Sequence, residues 1–139
     1  MPSGDVNSIL RVYLADAAVN PALFAIVGTR IYCPRLPEKA TLPALGFFVR
    51  GGSSTPYIPP IVEPSFQFDC WGNNPIEARS VYTALYEALQ GIQNVKVTIA
   101  PTDYYIKSAI EEVQGQDVQD VEYPNYHRVI AFFRVLITT

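Results

Sequence analysis

The chain has one histidine in 139 residues, and methionine and tryptophan also occur once each. A single imidazole cannot furnish the usual transition-metal site, and the sequence contains neither a His-Glu-x-x-His nor a Cys-x-x-Cys spacing. The two cysteines, Cys33 and Cys70, are widely separated and each lies in an apolar stretch. Two buried free thiols fit that placement better than a disulfide framework or a metal pair. Long hydrophobic runs are missing as well, none approaching the roughly 20 residues that cross a bilayer. The opening Met1-Pro2-Ser3-Gly4-Asp5 lacks the basic and apolar regions of a secretion signal. The expectation is a chain made and kept in a cytoplasm, with no membrane partner. Basic residues are in the minority, 10 against 13 acidic ones for a net charge of −3. Nucleic acid is held largely through clustered Lys and Arg that displace counterions, so this balance excludes a broad DNA-gripping surface.

What is present is enough to fold. Hydrophobic residues make up 49% and charged ones 17%, values of a globular chain, and the length suits one domain spanning residues 1–139. Val6, Ile9, Leu10, Tyr13, Leu14 and Ala17 recur at helical spacing after Asp5, which predicts an amphipathic helix over 5–18. Asn20-Pro21 restarts a short helical turn, and Gly28 supplies its stop. A brief strand follows at 30–33, then a loop set by Pro34, Pro37 and Pro43. Leu45, Phe47 and Val49 mark a strand that Gly51-Gly52 is expected to end. Residues 51–64, rich in glycine and proline, read as an irregular loop that still carries Tyr57, Ile58, Ile61 and Val62.

Phe66, Phe68 and Cys70 alternate with Ser65, Gln67 and Asp69, as in a half-buried antiparallel strand. Asn74-Pro75-Ile76-Glu77 is a helix-start signature: an Asn cap, proline at the first helical position and a glutamate able to reach back to the cap amide. Ala78, Val81, Tyr82, Leu85, Leu89 and Ile92 then form one apolar stripe, the main core helix. Val95, Val97 and Ile99 alternate into a strand, 104–113 forms another, and an acidic turn over 114–125 leads into a last strand at 126–138. In that strand His127, Val129, Ala131, Phe133, Val135 and Ile137 share one face, and Arg128, Ile130, Phe132, Arg134 and Leu136 the other. The expected fold class is α+β: a mostly antiparallel sheet with a long helix and an N-terminal helix packed on one face.

No residue pattern in the chain specifies catalysis. His127 lies on a strand with no Ser or Cys nucleophile near it in sequence, and reads as a packing or edge histidine rather than a general base. Gly51-Gly52-Ser53-Ser54 lacks the spaced glycines, lysine and following helix of a phosphate loop. Asp103, Glu111, Glu112, Asp117, Asp120 and Glu122 fit neither a calcium loop nor an acid/base pair, and read as a solvated face. Read from the residues alone, the chain is a binding or structural domain with no catalytic group, metal or cofactor.

Three segments in order resemble the tail-completion proteins of long-tailed phages, also called tail terminators or tail-to-head joining proteins. The first is Asn20-Pro21 through Val27-Gly28-Thr29-Arg30-Ile31-Tyr32, with Leu36-Pro37 and Leu42-Pro43 after it. The second is Phe66-Gln67-Phe68-Asp69-Cys70-Trp71 followed by Ala78-Arg79 and Leu85, and the third is the aromatic-aliphatic strand after His127-Arg128. The resemblance implies a structural protein, not an enzyme, that forms a homo-oligomeric ring, hexameric in the virion, at the head-proximal end of the tail. Its implied partners are the tail tube protein and the head connector or stopper proteins, with DNA passing through unbound. Tyr57, Ile58, Ile61 and Val62 are the expected contacts with subunit or partner, and Asp117, Asp120 and Glu122, with Glu111 and Glu112, the expected lining of the lumen. Two alternatives share the composition: a head-side connector or neck adaptor, and a small ligand-binding protein or enzyme with a pocket between helix and sheet.

Overall fold

The computed structural model describes residues 5–33, 41–54, 62–99, 102–119 and 127–138. Chain order is α1 (Val6–Leu14), α2 (Pro21–Val27), β1 (Ile31–Tyr32), β2 (Ala44–Ser54), β3 (Val62–Gly72), α3 (Pro75–Leu89), β4 (Gln93–Ile99), β5 (Thr102–Gln119) and β6 (His127–Thr138). The six strands form one sheet in the order β1-β2-β3-β6-β5-β4. From β3 the chain crosses the sheet through α3 to its far edge at β4, and then works back until β6 fills the gap beside β3.

The expected α+β class with a long helix is corrected. The protein is mostly β, one curled mixed sheet with three short helices, because strand residues claim stretches that read as turns and helices stop early. β1 pairs parallel to β2, which makes the sheet mixed, while the remaining pairings are antiparallel. α1 closes at Leu14 and α3 at Leu89, with 15 residues in the longest helix. Beyond Leu89 the stripe breaks: Gly91 takes φ +79, and Ile92 is already on the approach to β4.

Two glycines carry β2 past its expected end. Gly51 and Gly52 adopt φ of +146° and +124°, which residues with a side chain rarely take, and the pairing with β3 shifts between Val49 and Gly51. The strand therefore bends through a bulge instead of terminating. β5 likewise runs through residues 114–119, held in register by Gln116 opposite Ile130 and Gln119 opposite His127. Of its three irregularities, those between Glu111 and Val113 and between Val113 and Gln116 hide the alternation that would mark a strand.

The helices lie on one face of the sheet, and the core sits between. Ile9, Leu10 and Leu14 of α1, Leu23 and Val27 of α2, and Val81, Leu85 and Leu89 of α3 meet Phe47, Phe66, Phe68, Cys70, Val129, Phe133 and Val135 in one buried cluster. The Tyr13 hydroxyl donates to the Ala88 carbonyl, tying α1 to α3. α3 starts as its sequence predicts, with the Asn74 side chain accepting from the Glu77 amide at 2.8 Å. Glu77 reaches back one residue further than expected, to the Asn73 amide at 3.0 Å. Cys70 is buried as expected, but Cys33 is exposed: the chain leaves the sheet right after Tyr32, so its apolar neighbours do not cover it.

Candidate assembly surfaces

The segment 27–32 is a structural staple. Gly28 turns the chain at φ +57°, and the Arg30 side chain then donates to the Ile26 carbonyl at 3.1 Å and, through Nε, to the Pro43 carbonyl at 2.8 Å. One guanidinium thus joins the end of α2 to the entry of β2. Its fork of fixed donors suits two carbonyls that no helix or ladder satisfies.

The face of the sheet away from the helices carries the second arrangement of note. There the Arg50 guanidinium lies 4.2 Å from the centroid of the Phe132 ring, and Arg128 lies 5.2 Å from that of Trp71. Arg134 bridges Glu63 at 3.4 Å and Glu112 at 3.2 Å, and Glu112 also accepts from the Ser65 hydroxyl. These groups rim a polar hollow of about 410 Å³ with Gly51 and Gly52. The Ser65 hydrogen bond and the Arg134 charge hold the Glu112 carboxyl below its ordinary pKa, so it stays anionic. The hollow holds no imidazole; its serine hydroxyl donates to the Glu112 carboxylate, and its charges are matched within the chain.

Asp69 lies on the same face yet is only 7% exposed. Burial raises its pKa, with the Gln67 hydrogen bond and the Arg128 charge at 3.9 Å opposing that rise. A carboxyl whose folded pKa exceeds its unfolded value favours the folded state most when protonated. That contribution is lost as pH climbs from the ordinary carboxylate value, about 4, through the raised one. Asp69→Asn removes the titration, so the melting temperature of the natural chain should fall relative to the variant as pH rises through that window. A gap moving the other way would mean that Arg128 outweighs burial.

The remaining expected site residues fall into separate places. Tyr57, Ile58 and Ile61 lie outside the described residues, as do Asp120 and Glu122. Val62 is half-buried, paired with Ser54 and Ile137, and packs against the core. Asp117 pairs with Arg79 at 2.9 Å, and Glu111 accepts from the Tyr82 hydroxyl. Each described member of the acidic set therefore has a partner in its own chain. His127 lines a hollow of about 240 Å³ with Arg128, Asp117 and Pro75, and no serine or cysteine is among the described residues that line it. A further hollow, about 560 Å³, runs between α2 and α3 past Ile26, Thr83 and Ala84. At its rim Ile76, inside the helix-start motif, is 80% exposed, which capping residues alone do not signal. Among the described residues no group of three His, Cys, Asp or Glu side chains could hold a metal ion, and no helix is long and apolar enough to cross a membrane.

Among the described residues the structure is one mixed sheet with the helices packed on one face; most of its polar side chains are paired within the chain, while Asn7 Oδ1 and Arg128 Nε are buried without a hydrogen-bond partner. No protein-family model matches the chain, and no curated protein does. Among solved structures it is similar to a chain from the virion of a native gene transfer agent particle. The match has a TM-score of 0.64 and 18% identity, and covers 99% of this chain and 100% of that one. At this identity the likeness is one of fold, and it runs from end to end.

Proposed function

We propose that this chain is a structural protein of a phage-like tailed particle. It forms a ring, six copies in the particle, at the head-proximal end of the tail, where it stops growth of the tail tube and joins it to the head connector or stopper. DNA passes through the ring without being bound, and no catalytic step is involved. The observation that carries this reading is the sharing of a fold with a virion chain over 99% of this chain and 100% of that one. The resemblance of residues 20–32, 66–85 and 127–138 to tail-completion proteins supports the position within the particle. The net charge of −3 suits a wall along which DNA slides, since phosphates find no excess of cations to condense on.

Deleting the gene from a producing strain tests this. The expected result is filled heads without attached tails, together with tail tubes of uncontrolled length, both reversed by supplying the chain in trans. Normal particles from the deletion strain would contradict it, and empty or unassembled heads would move the chain to the head side of the joint.

A further inference from the structure

Two runs of sheet backbone have no strand beside them among the described residues. β1 flanks β2 only at Leu45 and Gly46, which leaves residues 47–54 open on the side away from β3. β4 flanks β5 only as far as Ser108. The end of α3 extends that cover, with the Gly91 amide donating to the Ala109 carbonyl at 3.0 Å and the Gln90 side chain accepting from the Glu111 amide at 2.7 Å. Residues 112–119 lie beyond it, and within them Gly115 bonds to the Tyr82 hydroxyl and to Arg79. The two runs are equal in length, and the second is interrupted at Gly115, whose amide and carbonyl are taken by Tyr82 and Arg79. The acids of the second run are already matched within the chain, Glu112 with Arg134 and Asp117 with Arg79, so the pairing rests on backbone edges and not on charge. Long open edges are costly to leave bare, because their amides and carbonyls template pairing with another chain.

The direction of the strands suits a particular neighbour. β2, β3, β6 and β5 alternate in direction, so β5 runs opposite to β2. A second copy set alongside with its helices on the same face therefore presents its β2 antiparallel to the first copy's β5. Phe47 is level with Ala131 through Phe68, and Gln119 is level with His127. Full overlap of the open runs thus slips the neighbour by about four residues, roughly 14 Å along the strands against about 19 Å across four of them. The slope is roughly 35°, the tilt strands take when a sheet closes on itself.

We propose that a second copy of this chain pairs edge to edge with the first, its residues 47–54 antiparallel to residues 112–119, so that the sheet continues from copy to copy. The contact is heterologous, using a different edge on each side, and such contacts build rings when the rotation closes. This rests on the ring reading above and names the surface that forms the ring.

Phe48 and Val118 lie on the same face and come opposite each other in this register, at the 4.5–5.5 Å Cα separation of antiparallel partners, roughly what a disulfide spans. The test uses the full chain with the exposed thiol removed by Cys33→Ser. Combining Phe48→Cys with Val118→Cys should give, on oxidation or with a short bismaleimide, a ladder of covalent oligomers ending at the ring. Either substitution alone should give no covalent dimer, and a mixture of the two single variants should give dimers and nothing larger. Arg50→Cys with Gln116→Cys repeats the test should the first pair fail to fold. Dimers from a single-cysteine variant would show a two-fold contact and overturn the proposal. A ring by native mass that does not cross-link overturns the edge pairing and leaves the ring reading standing; a monomer at every concentration overturns both.

Discussion

Phe68→Ala is expected to cost about 3–5 kcal/mol of folding stability. Phe68 has no exposed surface and stands at the centre of an aromatic group, stacked on Phe47 at 5.8 Å and meeting the edge of Phe133 at 5.5 Å. Those rings belong to three adjacent strands, since Phe47 and Ala131 flank Phe68 across the sheet. Truncation opens a cavity that the sheet cannot collapse to fill, because its backbone is pinned by ladder bonds on both sides. Chemical denaturation of the folded protomer checks this, and a loss under about 1 kcal/mol would show that the aromatic group is not the centre of the core.

Gly52→Ala should do comparable damage for a different reason. The position has φ +124°, and a Cβ there would stand 2.3 Å from the Glu63 carbonyl oxygen and 2.6 Å from the Pro64 Cα. Both obstacles are backbone of the paired strand, so no rotamer change relieves them. Strain and forced separation of β2 from β3 together are expected to cost roughly 3 kcal/mol or more, with the loss concentrated at the bulge. Hydrogen exchange checks the location: the amides of Val62, Glu63, Ser65 and Phe66 should lose protection while those of α1 keep theirs. Unchanged exchange across β3 would contradict the pairing of Gly52 with Pro64.

Much of the local structure was readable from side-chain period and punctuation. The alternation of β6 puts His127, Val129, Ala131, Phe133, Val135 and Ile137 on one face without saying which face is buried; in the structure the last five are at most 1% exposed and His127 is half-buried. Asn74-Pro75-Glu77 located the start of α3 because capping is a local hydrogen-bond problem with few solutions. Residues 114–119 defeated the same reasoning. Their polar side chains look like a turn, and only pairing with β6, a long-range fact, makes them strand. A glycine pair permits either a stop or a bend, and Gly51-Gly52 bends the strand onward. The weight of strand over helix comes from these two stretches and the early end of α3.

The candidate surfaces were less legible than the core. Arg50, Glu63, Ser65, Glu112 and Arg134 come from β2, β3, β5 and β6, and nothing in their spacing announces that they meet. Acidic density around residues 111–122 suggested a bare wall, but the partners Tyr82, Arg79 and Arg134 lie 22 or more residues away in sequence. Counting charges along a chain cannot show which of them a distant cation has already matched. The expected contacts Tyr57, Ile58 and Ile61 fall outside the described residues, which leaves the sheet edges and the rim around Ile76 as the surfaces on which assembly can be reasoned residue by residue.

The central claim, a structural ring at the junction of head and tail, is tested most directly by a reconstruction of the assembled particle in which this chain is located. The account predicts a single ring of copies between the last layer of the tail tube and the head connector, with the DNA path through its centre. Copies distributed along the tube, confined to the head interior, or absent from the particle would contradict it.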